Sequence, residues 1–568
     1  MINFSRKTKA ILSLSLMGIV TAVGFTNCAE NGFKGKNQRQ VGDDPFISLA
    51  WHLSNSAQSV FAAEAGTAGV DLNLLNTWSE GYSGKNITVL VSDDGLEDSH
   101  EDLSDNFLRT GVSKDYTTGF PYLSATAAPK ASDDSHGTAV AGLIAAVGQN
   151  SLGTKGVGYK ASLVSANFLS SQVTQTESKL IDQADGDYDI FNMSWGSTQN
   201  NLISPVASFF TQLKSGVTTG RSGKGSIYVK AAGNDFIVYC HGSTTENCVG
   251  NSNFDADNSS PYTILTTALN ASGEAASYAS VGSNVWISSF GGEFGKDSPA
   301  MITTDRTGCS VGFSQSTVQN VAFDKGQEGN TGCNYTATFN GTSSAAPVLS
   351  GAITLLLEAN PSLSWRDVKY ILAKTATPVN FSTTGSIKHP KTGETVPSGA
   401  QWEQAWIING AGFKFHNWYG FGRVNVDAAV ALAKSFASPF GAYNETNWAD
   451  DASGLNVAIP DFSSTGGSNS MTVNTNLKIE SVQLKIWVTH TNIADLALEL
   501  TSPSGTKSIV INMNNSLKNI ADYEGEVFLT NAFFQETSQG SWTLKVIDGK
   551  SSHTGTLTRW SLNFTGTP

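Results

Sequence analysis

The stretch from Phe339 to Pro347 restricts the fold and function of this chain more than any other part of its sequence. It consists of FNGTSSAAP and runs directly into the apolar segment 348–357. Glycine and small residues let a substrate backbone approach closely, proline fits the first turn of a helix, and the free N–H groups of that turn favour developing negative charge. We therefore expect a helix to begin here and to present Ser343 as a nucleophile. Gly-Thr-Ser is also common in loops, so this interpretation requires a base and a carboxylate elsewhere in the chain.

A carboxylate and an imidazole occur upstream in the contexts that such a nucleophile requires. The β-branched run 87–91 predicts a buried parallel strand. This strand would deliver Asp93 and Asp94 at its carboxyl end, where α/β sheets place functional groups. His136 directly precedes the alanine-rich segment 139–147, which predicts a helix. The chain order Asp, His, Ser is that of subtilisin and differs from that of chymotrypsin and of the α/β-hydrolases.

These sequence blocks together resemble the subtilases, and in particular the kexin- and furin-like proprotein convertases. The matching blocks are SDDG at 92–95, HGTAVAG at 136–142, GTSSAAP at 341–347, LSWRDV at 363–368 and WYGFGRVN at 418–425. The resemblance covers about residue 43 to the C-terminus. It implies a serine endopeptidase with a subtilisin-like α/β domain built on a mainly parallel sheet, followed by an all-β jelly-roll or β-sandwich P domain.

The same resemblance implies a role for each residue of the expected active site. Ser343 would attack the peptide carbonyl, His136 would take the hydroxyl proton, and Asp93 would orient the imidazole. Asp93 is preferred over Asp94 because the catalytic Asp of the family stands two residues before the glycine of this block. Asn234, which follows a predicted strand, matches the oxyanion donor of the family. Loss of such a donor typically lowers turnover by about 10²–10³.

A tight calcium site is the cofactor site that the resemblance implies. Asp44, Asp102 and Asn150, together with the backbone carbonyl of Val147, match its ligand positions. Calcium prefers hard oxygen ligands, which here would come from distant segments of the chain. Asp and Asn also serve as capping and turn residues, so a purely structural role is the alternative.

Acidic residues that match the specificity pockets of the family indicate cleavage after basic or dibasic sites. The S1 pocket binds P1, the substrate residue before the cleaved bond, and the S2 pocket binds P2, the residue before that. Asp94 and Asp133 match the acids of S2, and Asp255 matches one acid of S1, whereas the second S1 acid falls on Gln199. A broad-specificity nutritional subtilase is therefore an alternative. A catalytically inert surface adhesion or interaction protein is a third hypothesis, which an intact triad disfavours.

Net charge limits the classes of partner that this chain can bind, and chain length limits the number of its domains. The 568 residues carry a formal net charge of -13, which argues against a nucleic-acid partner. This charge fits either acidic subsites for basic peptides or simple solubility. Protein and peptide substrates are therefore the expected partners. The predicted segments are a signal peptide at 1–28, an N-terminal tether at 29–42, the subtilisin-like peptidase domain at 43–440, a linker at 441–454 and the P domain at 455–568.

Hydrophobic periodicity separates the two predicted domains. Residues 348–438 are predicted to form helices that pack on the sheet, with Leu355 and Leu356 in the core. Apolar and polar residues alternate from Val482 to Val488 and again in later segments. This period of two predicts antiparallel β-strands.

The N-terminal sequence predicts export. Three basic residues precede the uncharged stretch 11–25, which has the pattern of a signal peptide and is too short to span a membrane. Cys28 closes this segment. We expect it to carry a lipid that holds the protein at a bacterial cell envelope, which would be the only membrane attachment; without the lipid the protein would be secreted.

The number of cysteines supports this assignment of Cys28. The chain has 5 cysteines, and the other four fall into the pairs Cys240 with Cys248 and Cys309 with Cys333. In an exported protein we expect both pairs to be oxidised, which leaves Cys28 unpaired. A metal site built from Cys240, the adjacent histidine and Cys248 is the alternative.

The segment before Asp44 is too short to form the folded prodomain that subtilases usually carry. Such a prodomain assists folding and blocks the active site. We therefore expect a separate chaperone or inhibitor, unless calcium binding and docking of the P domain are sufficient to stabilise the native state.

Overall fold

The structure, a computed structural model, describes residues 44–317, 321–381, 385–450 and 454–568. The predicted signal peptide, the tether and Cys28 lie outside these ranges and stay predictions. The described chain forms an α/β domain followed by a β-sandwich, which confirms the fold class expected from the sequence.

An eight-stranded sheet forms the centre of the α/β domain. The strands of this domain are β1 (Thr88–Asp93), β2 (Ser113–Asp115), β3 (Leu123–Ser124), β4 (Ser162–Asn167), β5 (Ile190–Met193), β6 (Ile227–Ala231), β7 (Val238–Tyr239), β8 (Asn247–Cys248), β9 (Thr263–Leu269), β10 (Ile287–Phe290), β11 (Met301–Thr304), β12 (Tyr335–Phe339), β13 (Ile407–Ile408) and β14 (Lys414–Phe415). The sheet order is β10-β9-β6-β5-β1-β4-β2-β3, and only β2 and β3 pair antiparallel. The carboxyl ends of β1, β5 and β6 therefore meet at one edge.

Helices cover the faces of this sheet. They are α1 (Leu75–Ser79), α2 (His136–Ala145), α3 (Glu177–Asp182), α4 (Ala207–Gly223), α5 (Thr342–Ala359), α6 (Trp365–Thr375) and α7 (Val426–Ala433). Helix α5 packs against β5, β6, β9, β10 and α2. By length and composition α5 could span a membrane, but 83% of it is buried inside the fold. It is therefore the central helix of the core.

The region 348–438 is only partly helical, although the sequence pattern predicts helices throughout. Helices α5, α6 and α7 lie toward its two ends, whereas the described part of 376–425 forms turns and the short antiparallel pair β13 and β14. Pro378, Pro390 and Pro397 occur in this part. Proline removes a helical hydrogen bond and clashes with the preceding turn, so these residues prevent a continuous helix.

The C-terminal domain is a sandwich of antiparallel sheets. Its strands are β15 (Asn444–Glu445), β16 (Ala449–Asp450), β17 (Val457–Ile459), β18 (Ser463–Val473), β19 (Lys478–His490), β20 (Leu496–Thr501), β21 (Lys507–Ile511), β22 (Tyr523–Thr530), β23 (Gly540–Asp548) and β24 (Gly555–Thr567). One sheet has the order β15-β24-β19-β22, with β16 and β17 also on β24, and the other has the order β18-β23-β20-β21. The alternating apolar residues from Val482 to Val488 are buried, as predicted.

Part of the segment predicted as a linker is hydrogen bonded to the sandwich. Both β15 and β16 pair with the last strand, β24. The connection between the domains is therefore fastened to the second domain before the regular alternation of its strands begins.

The two domains exchange aromatic side chains across a polar interface. Phe534 of the sandwich packs in the hydrophobic core of the α/β domain, and Phe254 of the α/β domain packs in the core of the sandwich near Phe528. Arg366 on α6 forms a bidentate ion pair with Glu480 on β19, with N–O distances of 2.8 and 2.5 Å. Because each hydrophobic core includes a side chain of the other domain, either domain alone would expose apolar surface.

Both predicted disulfides are present. Cys240 is bonded to Cys248 and Cys309 to Cys333, and each bond closes a local loop. The bond between Cys240 and Cys248 leaves no free thiolate there, which removes the alternative of a metal site.

Candidate active site

Asp93 and His136 form the first half of the expected triad. Asp93 is fully buried at the carboxyl end of β1, and His136 is the first residue of α2. The imidazole Nδ1 lies 2.9 Å from Asp93 Oδ1 and 3.0 Å from Oδ2. This contact fixes the ring and leaves Nε2 as the nitrogen that can accept a proton.

The surroundings of His136 favour its protonated form. Burial by itself lowers the pKa of the imidazole. The charge and hydrogen bond of Asp93, with a further contribution from the charge of Asp94, outweigh this effect, so the pKa of His136 is raised above its usual value. An imidazolium that forms here during a reaction is therefore stabilised by carboxylates already in place.

Ser343 lies in the first turn of α5, partly exposed, and exchanges two hydrogen bonds with Ser194. The Ser343 hydroxyl donates to the Ser194 carbonyl at 3.2 Å, and the Ser194 hydroxyl donates to the Ser343 carbonyl at 3.0 Å. Pro347 stands four residues after Ser343 and has no N–H to donate to that carbonyl. The sequence predicts Pro347 in the first turn of the helix, but it lies in the second turn. The Ser194 hydroxyl supplies the hydrogen bond that the proline cannot donate.

Asn234 is held beside the start of α5 by its carbonyl oxygen. Its Oδ1 accepts hydrogen bonds from the Thr342 N–H at 2.8 Å and from the Thr342 hydroxyl at 3.0 Å. The amide Nδ2 therefore points to the other side with its donors. Gly341 has φ +99°, and a Cβ added there would lie 3.1 Å from Nδ2. Glycine thus provides both the backbone conformation and the space beside the amide.

Asp94 and Asp133 line an open crevice of about 280 Å³ next to His136. The two carboxylate oxygens of Asp94 accept the N–H groups of His136 at 2.9 Å and Gly137 at 2.7 Å. Burial, and next the charge of Asp93, raises the pKa of Asp94, although His136 and these two hydrogen bonds lower it. Asp133 is exposed. Asp94 therefore organises the start of α2, whereas the carboxylate of Asp133 is accessible to a ligand.

Asp255 does not lie free in a pocket. Its Oδ2 is 3.0 Å from the ammonium of Lys230, and both side chains are buried. The Ser197 N–H also donates to this oxygen, at 3.0 Å. Gln199, at the position of the second expected S1 acid, is fully buried and donates its amide to the Ala232 carbonyl.

The structure brings together the four residues predicted to bind calcium. Asp44 accepts a hydrogen bond from the Asn150 N–H at 3.1 Å, and Asp102 accepts one from the Asn150 side chain at 2.8 Å. The Val147 N–H donates to the backbone carbonyl of Asp102 at 2.8 Å. Burial, with a smaller contribution from the charge of Asp44, raises the pKa of Asp102 to about 8 against the effect of its hydrogen bonds. The described residues contain no group of three or more His, Cys, Asp or Glu side chains arranged around one point.

The sequence did not reveal two residues that shape this site. Ser194 contacts Ser343, the predicted nucleophile, from a position 149 residues away in the chain. Lys230 is a charged residue within β6, whose five residues are all buried. A lysine in an apolar run is a signal that could have been noticed, whereas nothing local marks Ser194.

Family models match both domains of the chain. The model of the subtilase family, Peptidase S8, matches residues 84–422, and the model of the proprotein convertase P-domain matches residues 479–564. These matches coincide with the α/β domain and the sandwich.

Known serine proteases are similar over most of the chain. The Aeromonas extracellular serine protease of Aeromonas sobria is 35% identical over 89% of this chain and 84% of the relative. Neuroendocrine convertase 2 of Rattus norvegicus is 28% identical over 95% of this chain and 76% of the relative. A crystal structure of the Aeromonas sobria serine protease with a chaperone superposes with a TM-score of 0.84 at 32% identity, covering 93% of this chain and 96% of that one. The chain therefore belongs to the subtilase family of serine endopeptidases and carries a proprotein convertase P domain.

Proposed function

We propose that this chain is an exported, calcium-stabilised serine endopeptidase with a preference for a basic P2 side chain. The observation that carries the proposal is the contact of the buried Asp93 with His136 at the start of α2, which packs against α5, the helix whose first turn contains Ser343. Asp93 orients the imidazole, His136 is the general base, Ser343 is the nucleophile and Asn234 donates to the oxyanion.

Acylation begins when Ser343 Oγ attacks the carbonyl carbon of the scissile peptide bond. His136 Nε2 takes the hydroxyl proton, because Nδ1 is engaged by Asp93. The carbonyl oxygen becomes an oxyanion and accepts a hydrogen bond from Asn234 Nδ2. The first-turn N–H groups of α5 also favour this negative charge.

The tetrahedral intermediate collapses when His136 gives its proton to the leaving amine and the C–N bond breaks. Water then attacks the acyl-enzyme, with His136 as the base that removes its proton. Collapse of the second intermediate releases the carboxylic acid and returns the proton to Ser343. Asp93 supports the first half of this cycle, because its carboxylate stabilises the imidazolium that must persist until the amine leaves.

Calcium is the cofactor that we propose, and the buried carboxylates support it. Asp44 and Asp102 are 2% and 0% exposed. None of the ion pairs found among residues 44–568, outside the three undescribed gaps, involves either carboxylate. Buried negative charge of this kind is costly unless a cation compensates it. Asp44, Asp102, Asn150 and the Val147 carbonyl would hold the ion, which would supply that positive charge.

The crevice beside His136 supports a basic P2 side chain. It is lined by the carboxyl groups of Asp93, Asp94, Asp133 and Asp134. Asp93 and Asp94 are occupied by hydrogen bonds to His136 and the start of α2, and Asp134 is buried under its own loop. Asp133 is therefore the group that would pair directly with a lysine or arginine. A broad-specificity endopeptidase is the second candidate, which the neutral Gln199 favours.

Export and a folding partner complete the proposal. The Aeromonas sobria relative is described as extracellular, and a solved structure holds that protease with a chaperone. These relatives support export of this chain and a separate chaperone for it. Attachment of a lipid to Cys28 is proposed from its place at the end of the predicted signal peptide and from the pairing of the other four cysteines.

We predict that Ser343→Ala abolishes peptide hydrolysis without unfolding the protein. Removal of a triad nucleophile typically lowers kcat by about 10⁶. Ser344→Ala is the matched control, because the neighbouring hydroxyl is buried and belongs to the helix core. Activity and circular dichroism are measured for both variants. Turnover in folded Ser343→Ala equal to that of the wild type would remove Ser343 from the mechanism.

We predict that chelation of calcium lowers the melting temperature and that added calcium restores it. An ion bound only by the native state stabilises it by mass action, by about 2.7 kcal/mol at a hundredfold excess over Kd. Asp102→Asn should abolish the response, whereas Asp105→Asn, an exposed residue three positions later, should retain it. The proposed site is wrong if the thermal transition is the same with EDTA and with calcium.

We predict that Asp133→Asn lowers kcat/KM for peptides with Lys or Arg at P2 by about fivefold, because an exposed ion pair contributes up to about 1 kcal/mol. Peptides with Gln at P2 should be unaffected. Asp105→Asn again serves as the control for loss of one exposed carboxylate. Equal rates for Lys and Gln at P2 in the wild type would favour the broad-specificity alternative.

We predict that antibody detection after cell fractionation finds the wild-type protein outside the cytoplasm. With a lipid on Cys28 it would partition into detergent, and Cys28→Ser would release it. A mature protein that starts at another residue and never enters the detergent phase would contradict lipidation while leaving export intact.

A further inference from the structure

A buried lysine occupies the end of a central strand next to the active site. The side chain of Lys230 is 0% exposed. Its ammonium donates to Asp255 Oδ2 at 3.0 Å, to Asn258 Oδ1 at 2.7 Å and to the Trp195 carbonyl at 3.1 Å. An ammonium has three hydrogens to donate, so all of them are used inside the protein.

Lys230 lies on a strand next to the two segments that contact the start of α5. Strands β5 and β6 are parallel neighbours, and Met193 is opposite Lys230. The segment after β5 contains Ser194, which contacts the nucleophile, and the segment after β6 contains Asn234. A P1 side chain of a substrate bound at Ser343 would lie in the gap between these two segments.

The pair of Lys230 and Asp255 lies next to Gly196, in the segment after β5. Gly196 is exposed in the segment after β5, and a Cβ added to it would lie 2.6 Å from Asp255 Oδ2 and 3.3 Å from the Lys230 ammonium. The backbone of Ser197 is hydrogen bonded to the same carboxylate. A side chain that passes Gly196 would therefore meet an ion pair rather than a free carboxylate.

We propose that Lys230 determines P1 specificity by neutralising Asp255, so that the pocket beside Ser343 accepts neutral side chains about as well as basic ones. The inference rests on the proposed function, since it assigns selectivity to the same active site. A basic P1 group would either compete with Lys230 for one carboxylate or bring a second, uncompensated positive charge into a buried site. A neutral side chain incurs neither cost.

Gln199 supports the same conclusion on the other side of the gap. Its Nε2 donates to the Ala232 carbonyl at 2.7 Å, and a Cβ added to Gly233 would lie 2.2 Å from that nitrogen. Its Oε1 is buried, and no described residue donates to it. Neither of the two positions that match the S1 acids of the family thus carries net negative charge.

The first test uses the wild-type protein. Peptides with Lys at P2 and Arg, Lys, Met or Gln at P1 are compared by kcat/KM. We expect Met and Gln to fall within about tenfold of Arg, in contrast to the 10⁴–10⁵ discrimination of sites that pair a charged or polar substrate group specifically. A preference for Arg greater than about a hundredfold would overturn the proposal.

The second test removes the internal ammonium. Lys230→Met should raise the ratio of Arg to Met cleavage at P1 at least about tenfold, because Asp255 is then unpaired. Adding Asp255→Asn to that variant should return the ratio to the wild-type value. Lys369→Met, which removes another buried lysine whose ammonium contacts the Pro261 carbonyl, should leave the ratio unchanged. An unchanged ratio in folded Lys230→Met would overturn the proposal; if that variant does not fold, the wild-type ratio decides.

The same peptides separate failure of this inference from failure of the proposed function. Equal kcat/KM values of the wild type for peptides with Lys and with Gln at P2 would contradict the proposed S2 subsite without affecting the P1 result. Hydrolysis that persists in Ser343→Ala would contradict the proposed mechanism. A strict P1 requirement for Arg, with both other results intact, would contradict only the role of Lys230.

Discussion

The buried carboxylate of Asp93 is the feature on which the rest of the site depends. A charged group at the end of a central strand is costly unless it is paired, and here the His136 imidazole and the Asp94 N–H contact it. This pairing requires α2 to approach the turn after β1 very closely. A Cβ added to Gly137 would lie 2.2 Å from the Gly95 carbonyl, so glycine permits the contact. Hydrogen bonds from the same helix start to Asp94 then hold the imidazole against the carboxylate.

The P domain contacts the residues that precede Asp255, the proposed partner of Lys230 in the P1 pocket. Phe254 is buried in the core of the sandwich, and the Asn253 side chain accepts a hydrogen bond from the Leu529 N–H at 2.9 Å. Docking of the second domain thus fixes the backbone on which the partner of Lys230 stands. The residues proposed as catalytic all lie in the α/β domain. In the proposed account, the P domain would therefore affect the P1 pocket more directly than the triad.

Much of this arrangement follows from local sequence signals. The β-branched run before Asp93 predicts its strand correctly, because a strand that is buried on both faces is apolar throughout. The alternation from Val482 also predicts its strand correctly, because one face of that strand lies in the hydrophobic core. The start of α5 is also correct, although Pro347 lies a turn later than its chemistry alone predicts. Two contacts could not be predicted: the hydrogen bonds between Ser194 and Ser343, and the ion pair between Lys230 and Asp255. Each joins segments that are distant in sequence and is determined by the register of β5 and β6. Asp255, which the sequence predicts as an acid of the P1 pocket, has a charged partner, Lys230, that only the fold reveals.

The most direct measurement of the central claim is covalent labelling with an organophosphonate that reacts with activated serine hydroxyls. Mass spectrometry should find one label per chain, on Ser343, and activity should fall in proportion to labelling. His136→Ala should prevent labelling, because the hydroxyl is nucleophilic only while the imidazole can take its proton. A label on another serine, or full activity after complete labelling of Ser343, would contradict the account.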